Sequence, residues 1–324
     1  KPSVYQNEAI IAPLKEIWLV ANLPCSKRLK VMVPIWLPGY EQCFGELPPA
    51  ITTALLKISP STIDRILKPV RIQYTKRGRS TTKPGTLLRK QIPIKTNQWD
   101  EARPGFLEAD LVAHCGDSTM GMFANTLDLT DIATTWTEQR AVWGKGQTGV
   151  VDQIHNVEST LPFPILGFDS DNGSEFLNDH LLSYFRNRKR PVQFTRSRAY
   201  HKDDNAHIEQ KNWTHVRQWL GYDRLDHPDV VPALNNLYTK EWRLFHNFFC
   251  PSVKLIDKER IGSKTIIRHD SPQTPYQRIM GSSYIPESVK NSLTKQLETL
   301  NPFLLRKTMD KKLRKVFSIN NKPR

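Results

Sequence analysis

A chain of 324 residues with 38% hydrophobic and 24% charged side chains can bury an ordinary core, which excludes a wholly disordered polypeptide and suggests two or three domains. Its 47 Lys and Arg against 32 Asp and Glu leave a net charge of +15, a balance that points to a polyanionic partner, foremost nucleic acid. No apolar run reaches the roughly 18 residues of a membrane span. The four cysteines (Cys25, Cys43, Cys115, Cys250) show no CxxC pair and no His at zinc-finger spacing, so neither structural zinc nor a disulfide framework is expected and a reducing cytosol fits.

The charge is unevenly spread: residues 1–100 carry a net +10, residues 101–200 a net −4 and residues 201–324 a net +9. Basic flanks around an acidic middle suggest nucleic-acid-binding ends and a centre that calls for cations. The start, Lys1-Pro2-Ser3, has neither an initiator Met nor a signal-peptide apolar stretch, so a trimmed start is expected.

Residues 1–70 read as helical. Apolar residues recur at helical spacing from Ile10 to Ala21, and Leu29–Tyr40 continues the texture with Pro34 and Pro38 expected at helix starts or kinks. Pro48-Pro49 opens a helix over Ala50–Leu56. A second follows from Ser59, a natural N-cap, and Pro60, a natural first helical residue. In it Ile63, Ile66 and Leu67 make an apolar stripe that leaves Ser61, Thr62, Arg65 and Lys68 facing outward. Helix, short turn and helix, with polar and basic residues near the second start, is the logic of a helix-turn-helix DNA reader. Residues 71–100 then form a basic linker. Arg71, Lys76, Arg77, Arg79, Lys83, Arg89, Lys90 and Lys95 occur with no acidic residue between them, and Gly and Pro break any regular element, as in a tether that tracks phosphates.

From Phe106 the pattern becomes α/β. Strands are expected at Phe106–Cys115, Phe123–Asp128 and Thr134–Val142, then a helix over Gln147–Leu161 and a short buried strand at Pro164–Asp169. Helices follow at Ser174–Arg186, Asp204–Leu220 and Pro232–Phe248. Three consecutive strands and then alternating helix and strand fit a mixed sheet covered by helices. After Pro251 we expect a hairpin within Arg260–Ser271, a linker at Pro272–Pro275, and helices over Glu287–Leu300 and Leu304–Val316. The domain reading is therefore 1–70 helical, 71–100 linker, 101–250 core and 251–324 C-terminal extension.

Three acidic residues stand out. Asp110 lies inside a hydrophobic strand, Asp171 closes Ile165–Asp171 before the turn residues Asn172-Gly173, and Glu209 lies early in a helix. Two carboxylates on strands and one on a helix can converge, and their mutual repulsion calls for divalent cations. Oxygen-only ligation favours Mg²⁺, with Mn²⁺ as a substitute. Two such ions about 4 Å apart serve phosphodiester displacement. Asp169, two residues before Asp171, shares its strand face and is a rival ligand; Asp117 is a rival for Asp110 but falls beyond Gly116 in a turn. Glu175 suits a helix N-terminus. His201 and His207 are poorly matched to a hard-cation site. Arg186, Arg188, Lys189, Arg190, Arg196 and Arg198 form a basic cluster read as a DNA-backbone groove, and Arg217, eight residues after Glu209 and so on the same helical face, could reach a phosphate or simply lie on the surface.

These residues resemble a known family. Glu108–Cys115, then Asp169-Ser170-Asp171-Asn172-Gly173-Ser174-Glu175-Phe176, then Asp203–Asn212, with 37 residues between Asp171 and Glu209, look like the Asp–Asp–Glu triad of the retroviral-integrase superfamily. More narrowly, the chain resembles bacterial insertion-sequence transposases, and the likeness extends from Ser59–Leu67 to Thr274-Pro275-Tyr276. The resemblance implies a ribonuclease H-like core, two Mg²⁺ ions held by Asp110, Asp171 and Glu209, and metal-dependent cleavage at transposon ends followed by 3′-hydroxyl strand transfer into target DNA. It also implies element-end and target double-stranded DNA as partners, a homo-oligomer on DNA, no membrane, and a place on the bacterial nucleoid in the cytoplasm. One departure is plain: retroviral integrases begin with a His/Cys zinc domain that this chain lacks, so end recognition would rest on Ser59–Arg71. The rival readings are a hydrolysis-only ribonuclease H-like nuclease and a catalytically silent DNA-binding regulator.

Overall fold

The computed structural model describes residues 4–72, 101–144, 146–170, 176, 178–196, 206–261 and 264–321. Much of the basic linker, Lys76, Arg77 and Arg79 included, lies outside the described residues, as do Asp171 and Arg198.

The chain opens with four helices, α1 (Glu8–Val20), α2 (Ser26–Phe44), α3 (Pro49–Lys57) and α4 (Pro60–Arg71). Helix α4 begins as its sequence dictates, with Ser59 Oγ accepting from Thr62 N at 3.2 Å and Pro60 in the first turn. Neither proline of α2 marks a helix start, because the helix runs through both Pro34 and Pro38. They lie four residues apart on the exposed face, where water can serve the carbonyls they orphan. Opposite them, Leu29, Met32, Val33, Trp36 and Leu37 are buried, and that apolar stripe outweighs the lost hydrogen bonds.

The core is a five-stranded mixed sheet of order β3-β2-β1-β4-β5, from β1 (Phe106–Ala113), β2 (Ala124–Asp131), β3 (Thr137–Trp143), β4 (Gly167–Ser170) and β5 (Gln193–Arg196). β1 pairs antiparallel with β2 and parallel with β4, and β4 parallel with β5. That order and these directions are the ribonuclease H-like arrangement. α5 (Gln147–Glu158) and α6 (Asp179–Arg186) lie on the face where Phe168, Phe185 and Phe194 pack.

On the other face runs a composite helix: α7 (Ala206–Lys211), a π-helical turn (Asn212–Arg217) and α8 (Gln218–Leu220). A second composite, α9 (Val230–Leu237), a π turn (Tyr238–Trp242) and α10 (Arg243–Phe249), lines the outer edge of β3. There Asn235 bonds both N–H and C=O of Ala141, at 2.7 and 2.9 Å, and Asn247 does the same for Thr137, at 2.9 and 2.8 Å. Two side-chain amides thus satisfy an edge strand that would otherwise present open backbone groups.

The hairpin β6 (Leu255–Ile261) and β7 (Lys264–His269) follows, then α11 (Pro275–Gly281), α12 (Glu287–Glu298) and α13 (Pro302–Asn320). Pro272–Thr274 connects the hairpin to α11, and it is pinned at both sides: Gln273 bridges Ser252, and Thr274 with Gln277 forms the capping box that starts α11. Helix α13 returns across the molecule to the N-terminal helices. A Cβ on Gly39 of α2 would come within 2.8 Å of Pro302, so only glycine admits this close approach. Trp36 of α2, fully buried, donates its indole N–H to Phe249 O at 3.0 Å and stacks edge-on against Phe245, Phe249 and Phe303. One apolar core therefore joins the helices before the linker, the sheet domain and the C-terminal helices. Among the described residues no helix is long and apolar enough to cross a membrane.

Candidate active site

Side chains alternate faces along a strand. Glu108 and Asp110 of β1 therefore share the face covered by α7, while Leu107 and Ala109 enter the opposite layer. The pairing makes this face polar in rows. One row crosses the sheet through Thr137, Thr130, Glu108, Asp169 and Thr195, and the next runs through Gln139, Asp128 and Asp110.

Asp110, half-buried on the central strand, is held at both oxygens. Leu111 N donates to Oδ1 at 2.7 Å, and Asn212 Nδ2 donates to Oδ2 at 2.5 Å. Glu108, buried, accepts from Ile208 N at 3.0 Å. These two bonds fasten α7 across β1, and Glu209 occupies the helix between the two tethered residues. Asp169 is buried and accepts from Thr195 Oγ1. Asp117 is exposed in the turn beyond Gly116.

Asp128, which sequence reasoning passed over, is a fourth acid on this face. Its Oδ1 accepts from Gln139 Nε2 at 2.8 Å and Thr137 Oγ1 at 3.1 Å. Burial pushes its carboxyl up to about 7 against these hydrogen bonds and the attraction of Lys211. Lys211, also buried, is pushed down to about 8 by desolvation, which the charge of Asp128 opposes. The signal for Asp128 was present: an acid between Leu127 and Leu129 is the same anomaly that marked Asp110. The expected strand ended at this residue, so it read as a terminus. Asn212 carried no such signal.

Further along the face, His114 Nε2 lies 2.8 Å from Thr126 Oγ1, which lies 2.8 Å from Tyr238 Oη on the second π turn. Burial drives His114 down to about 3.

The expected DNA contacts divide. Ser61, Arg65 and Lys68 are exposed on α4. Thr62 is not: it is buried in the first turn, its hydroxyl bonded to Ser59 Oγ at 2.9 Å and accepting from Arg65 at 3.1 Å, because the cap draws it inward. Arg71 turns back to Asp64 at 2.5 Å and lies 6.0 Å from the Trp18 ring centre, so its charge is spent within the helical bundle. Arg196 is buried on β5, and its odd register relative to Thr195 puts it on the face opposite Asp169 rather than in a groove beside the acids. Arg217 donates to Ala113 O at 2.8 Å and stacks on Tyr222, closing the end of β1 instead of reaching outward. The π turn that ends at Arg217 breaks the α-helical phase on which the expectation rested. In the basic cluster, Arg188 forms a bidentate pair with Glu158 at 2.7 and 2.6 Å, while Arg186, Lys189 and Arg190 are exposed. His201 lies outside the described residues, as does the side chain of His207.

Among the described residues no three His, Cys, Asp or Glu side chains stand close enough to hold a metal ion. Of the three expected ligands, Asp110 alone has a described side chain; Asp171 lies outside the described residues and so does the side chain of Glu209. The donor chemistry of the set, three carboxylates, fits a hard divalent cation.

The strand order and directions fit a ribonuclease H-like domain, here with carboxylates on the polar face of its sheet and helices on its flanks. No known family model matches the chain. It is 38% identical over 274 residues to the uncharacterized protein y4rM of Sinorhizobium fredii (strain NBRC 101917 / NGR234), covering 84% of this chain and 76% of that protein, and it belongs to the same family. Among solved structures it is similar to the catalytic core domain of BIV integrase, with a TM-score of 0.36 and 12% identity over 56% of this chain and 96% of that one. A second similar structure is the simian T-cell lymphotropic virus intasome in complex with the PP2A regulatory subunit B56 gamma, with a TM-score of 0.32 and 12% identity over 56% and 59% of the two chains.

Proposed function

We propose that the protein is a DNA transposase of the integrase type, which cleaves element ends to leave a 3′-hydroxyl and joins that end to target DNA. The observation that carries this reading is the joint between β1 and α7: Asn212, three residues after Glu209, bonds Asp110, and Glu108 bonds the backbone beside Glu209. Asp110 follows Glu108 by two residues and Asp171 follows Asp169 by two, so the observed pairing of Glu108 with Asp169 supports Asp110 and Asp171 as neighbours in function.

In this reading Asp110, Asp171 and Glu209 hold two Mg²⁺ ions, which when bound polarise the scissile phosphate and lower the pKa of the attacking hydroxyl. The residues of this chain prepare that site. The Asn212 amide and Leu111 N–H fix the Asp110 carboxylate in one orientation, and Glu108 keeps α7 seated on the sheet. Exposed Ser61, Arg65 and Lys68 on α4, with α3 as the first helix of a helix-turn-helix, would read element ends, and the net charge of +15 supplies phosphate attraction. Joining two ends to one target calls for a homo-oligomer on DNA.

The test is a Mg²⁺-dependent strand-transfer assay with labelled element-end duplex and target plasmid, comparing wild type with Glu209→Gln. Joined products that vanish in the variant are expected. Nicking without joining would assign hydrolysis alone, and tight salt-sensitive DNA binding with no metal-dependent cleavage would assign a regulator.

A further inference from the structure

A cavity of about 220 Å³ opens beside the composite helix that begins with α7, several times the ~30 Å³ of one water. Its walls are the first turn of α2 with the loop before it, the composite helix from Gln210 to Trp219, and the end of α10 through Ser252. Among the described residues two cations line it, Arg28 and Lys211, and no Asp or Glu does. Arg28 acts electrostatically on Lys211 and His215, so these charges face a common space. Asp128 attracts Lys211 from the sheet side, yet Lys211 Nζ, in a residue only 3% exposed, makes no hydrogen bond among the described residues. A buried ammonium with three unused donors is costly unless something accepts from it.

The imidazoles add a second constraint. His246 Nδ1 lies 3.0 Å from Trp242 O, a carbonyl that can only accept, so Nδ1 carries the hydrogen and Nε2 a lone pair. Thr214 donates its hydroxyl to Gln210 O, which leaves Thr214 Oγ1 to accept from His215 Nδ1. His215 Nε2 is then also a lone pair, buried and unbonded among the described residues. The lining thus offers cationic donors together with neutral acceptors. A dianion lacking hydrogens satisfies only the first, and a phosphodiester has no P–OH. A phosphate monoester has both oxyanions and, near its second pKa of about 6, a P–OH. Trp213, 42% exposed at the rim, provides a face on which a base can stack.

We propose that this cavity binds a terminal phosphate monoester carried on a nucleotide, with Arg28 and Lys211 on the oxyanions, His215 accepting from P–OH, and Trp213 against the base. The chemistry of the site stands independently of strand transfer; only the identity of the carrier as a 5′-phosphorylated DNA end rests on the proposed function.

Calorimetric titration of the full chain without DNA or metal separates the two. The probes are dAMP, deoxyadenosine and inorganic phosphate, followed by a 5′-phosphorylated and a 5′-hydroxyl duplex. We expect dAMP to bind at least tenfold more tightly than deoxyadenosine, and the phosphorylated duplex more tightly than its hydroxyl counterpart. Arg28→Met, a half-exposed position in the first turn of α2, should erase both differences, and Arg28→Lys should restore part of them. Trp213→Ala, at an exposed site, should weaken dAMP while leaving inorganic phosphate unchanged. Inorganic phosphate binding as tightly as dAMP would overturn the nucleotide carrier. No preference for phosphate in wild type, or a preference that persists in Arg28→Met, would overturn the site. None of these readouts requires strand-transfer activity, so an inactive protein that passes them keeps the site and loses only the transposase reading.

Discussion

A carboxylate that is to receive a cation must be held still before the cation arrives, or its ordering entropy is spent at binding. Asp110 meets this requirement through Leu111 N–H and Asn212 Nδ2, one donor on each oxygen. Asn212 is therefore a positioning residue in the proposed chemistry. Asn212→Ala should lower strand transfer by about 10–100-fold, in the range of lost outer-shell partners of metal ligands, with a larger Mg²⁺ requirement. Asn212→Asp should be worse, because it sets a second negative charge 2.5 Å from where the amide now donates. A metal titration of activity checks both, and an unchanged Mg²⁺ dependence in Asn212→Ala would count against the assignment. At this scale the sequence was partly legible. An acid inside Leu107–Val112 announces itself against its apolar neighbours, and so did Asp128 for a reader willing to extend the strand. Asn212 gave no such notice, and Glu108, though an acid in the same run, gave none of its part in seating α7, since both roles depend on which helix crosses which strand. Thr62, Arg196 and Arg217 misled for the converse reason. A polar or basic residue reads as exposed until a cap, a strand register or a π turn determines where it points.

At the level of elements, the sheet was readable because β1 to β3 run seven or eight residues and carry apolar residues such as Leu107, Leu127, Leu129 and Val142, and α4 because Ser59-Pro60 is a clear start. β5 was not, since its four residues fell inside a basic run, whereas α2 was read as helical from its apolar stripe although Pro34 and Pro38 sit inside it rather than at a start. What no local pattern reveals is the guarding of β3. Its outer N–H and C=O groups at Thr137 and Ala141 are taken by Asn247 and Asn235 from the helices that line it. Each amide makes two bonds, and Asn247 is fully buried. Asn247→Ala should cost about 2–4 kcal/mol, because it leaves two buried backbone groups unpaired. Asn235→Ala, only half-buried, should cost about 1–2 kcal/mol, since water can replace the amide. Urea unfolding gives both numbers, and a greater tendency of Asn247→Ala to aggregate would follow from the uncovered edge. Equal costs for the two would mean that the backbone bonds, rather than burial, set the penalty.

The whole molecule is built as one body despite its domain-like sequence. Trp36 joins α2 to α10 and α13 in the same apolar cluster that holds the sheet. Trp36→Ala should cost about 3–5 kcal/mol and lower a single unfolding transition, where independent domains would show two. The same closely packed interior buries titratable groups, and these set how stability responds to pH. Burial holds His114 and His246 at about 3 and His215 well below its ordinary value. Above pH 6.5 these imidazoles are neutral in both states and cost nothing. As the pH falls from 6.5 toward 3 the unfolded chain takes up their protons while the folded chain refuses them, so each removes up to about 1.4 kcal/mol of stability per pH unit. Two buried carboxyls act in the opposite sense. Burial raises Asp128 to about 7 and Asp131 to about 6, so the folded state gains their protons first and stability rises as the pH falls through those values toward 4. Between pH 6 and 4 these three imidazoles oppose these two carboxyls, and among these five groups the balance is a net loss of about one proton's worth, or about 1.4 kcal/mol per pH unit. His114→Gln, which keeps a hydrogen-bonding end for Thr126 but cannot take the proton, should flatten that slope to near zero. Urea midpoints measured from pH 7 to 4.5 in both proteins decide it: a wild-type stability that rises on acidification would show that the carboxyls dominate, and an unchanged slope in His114→Gln would mean that this imidazole is not held neutral by its burial.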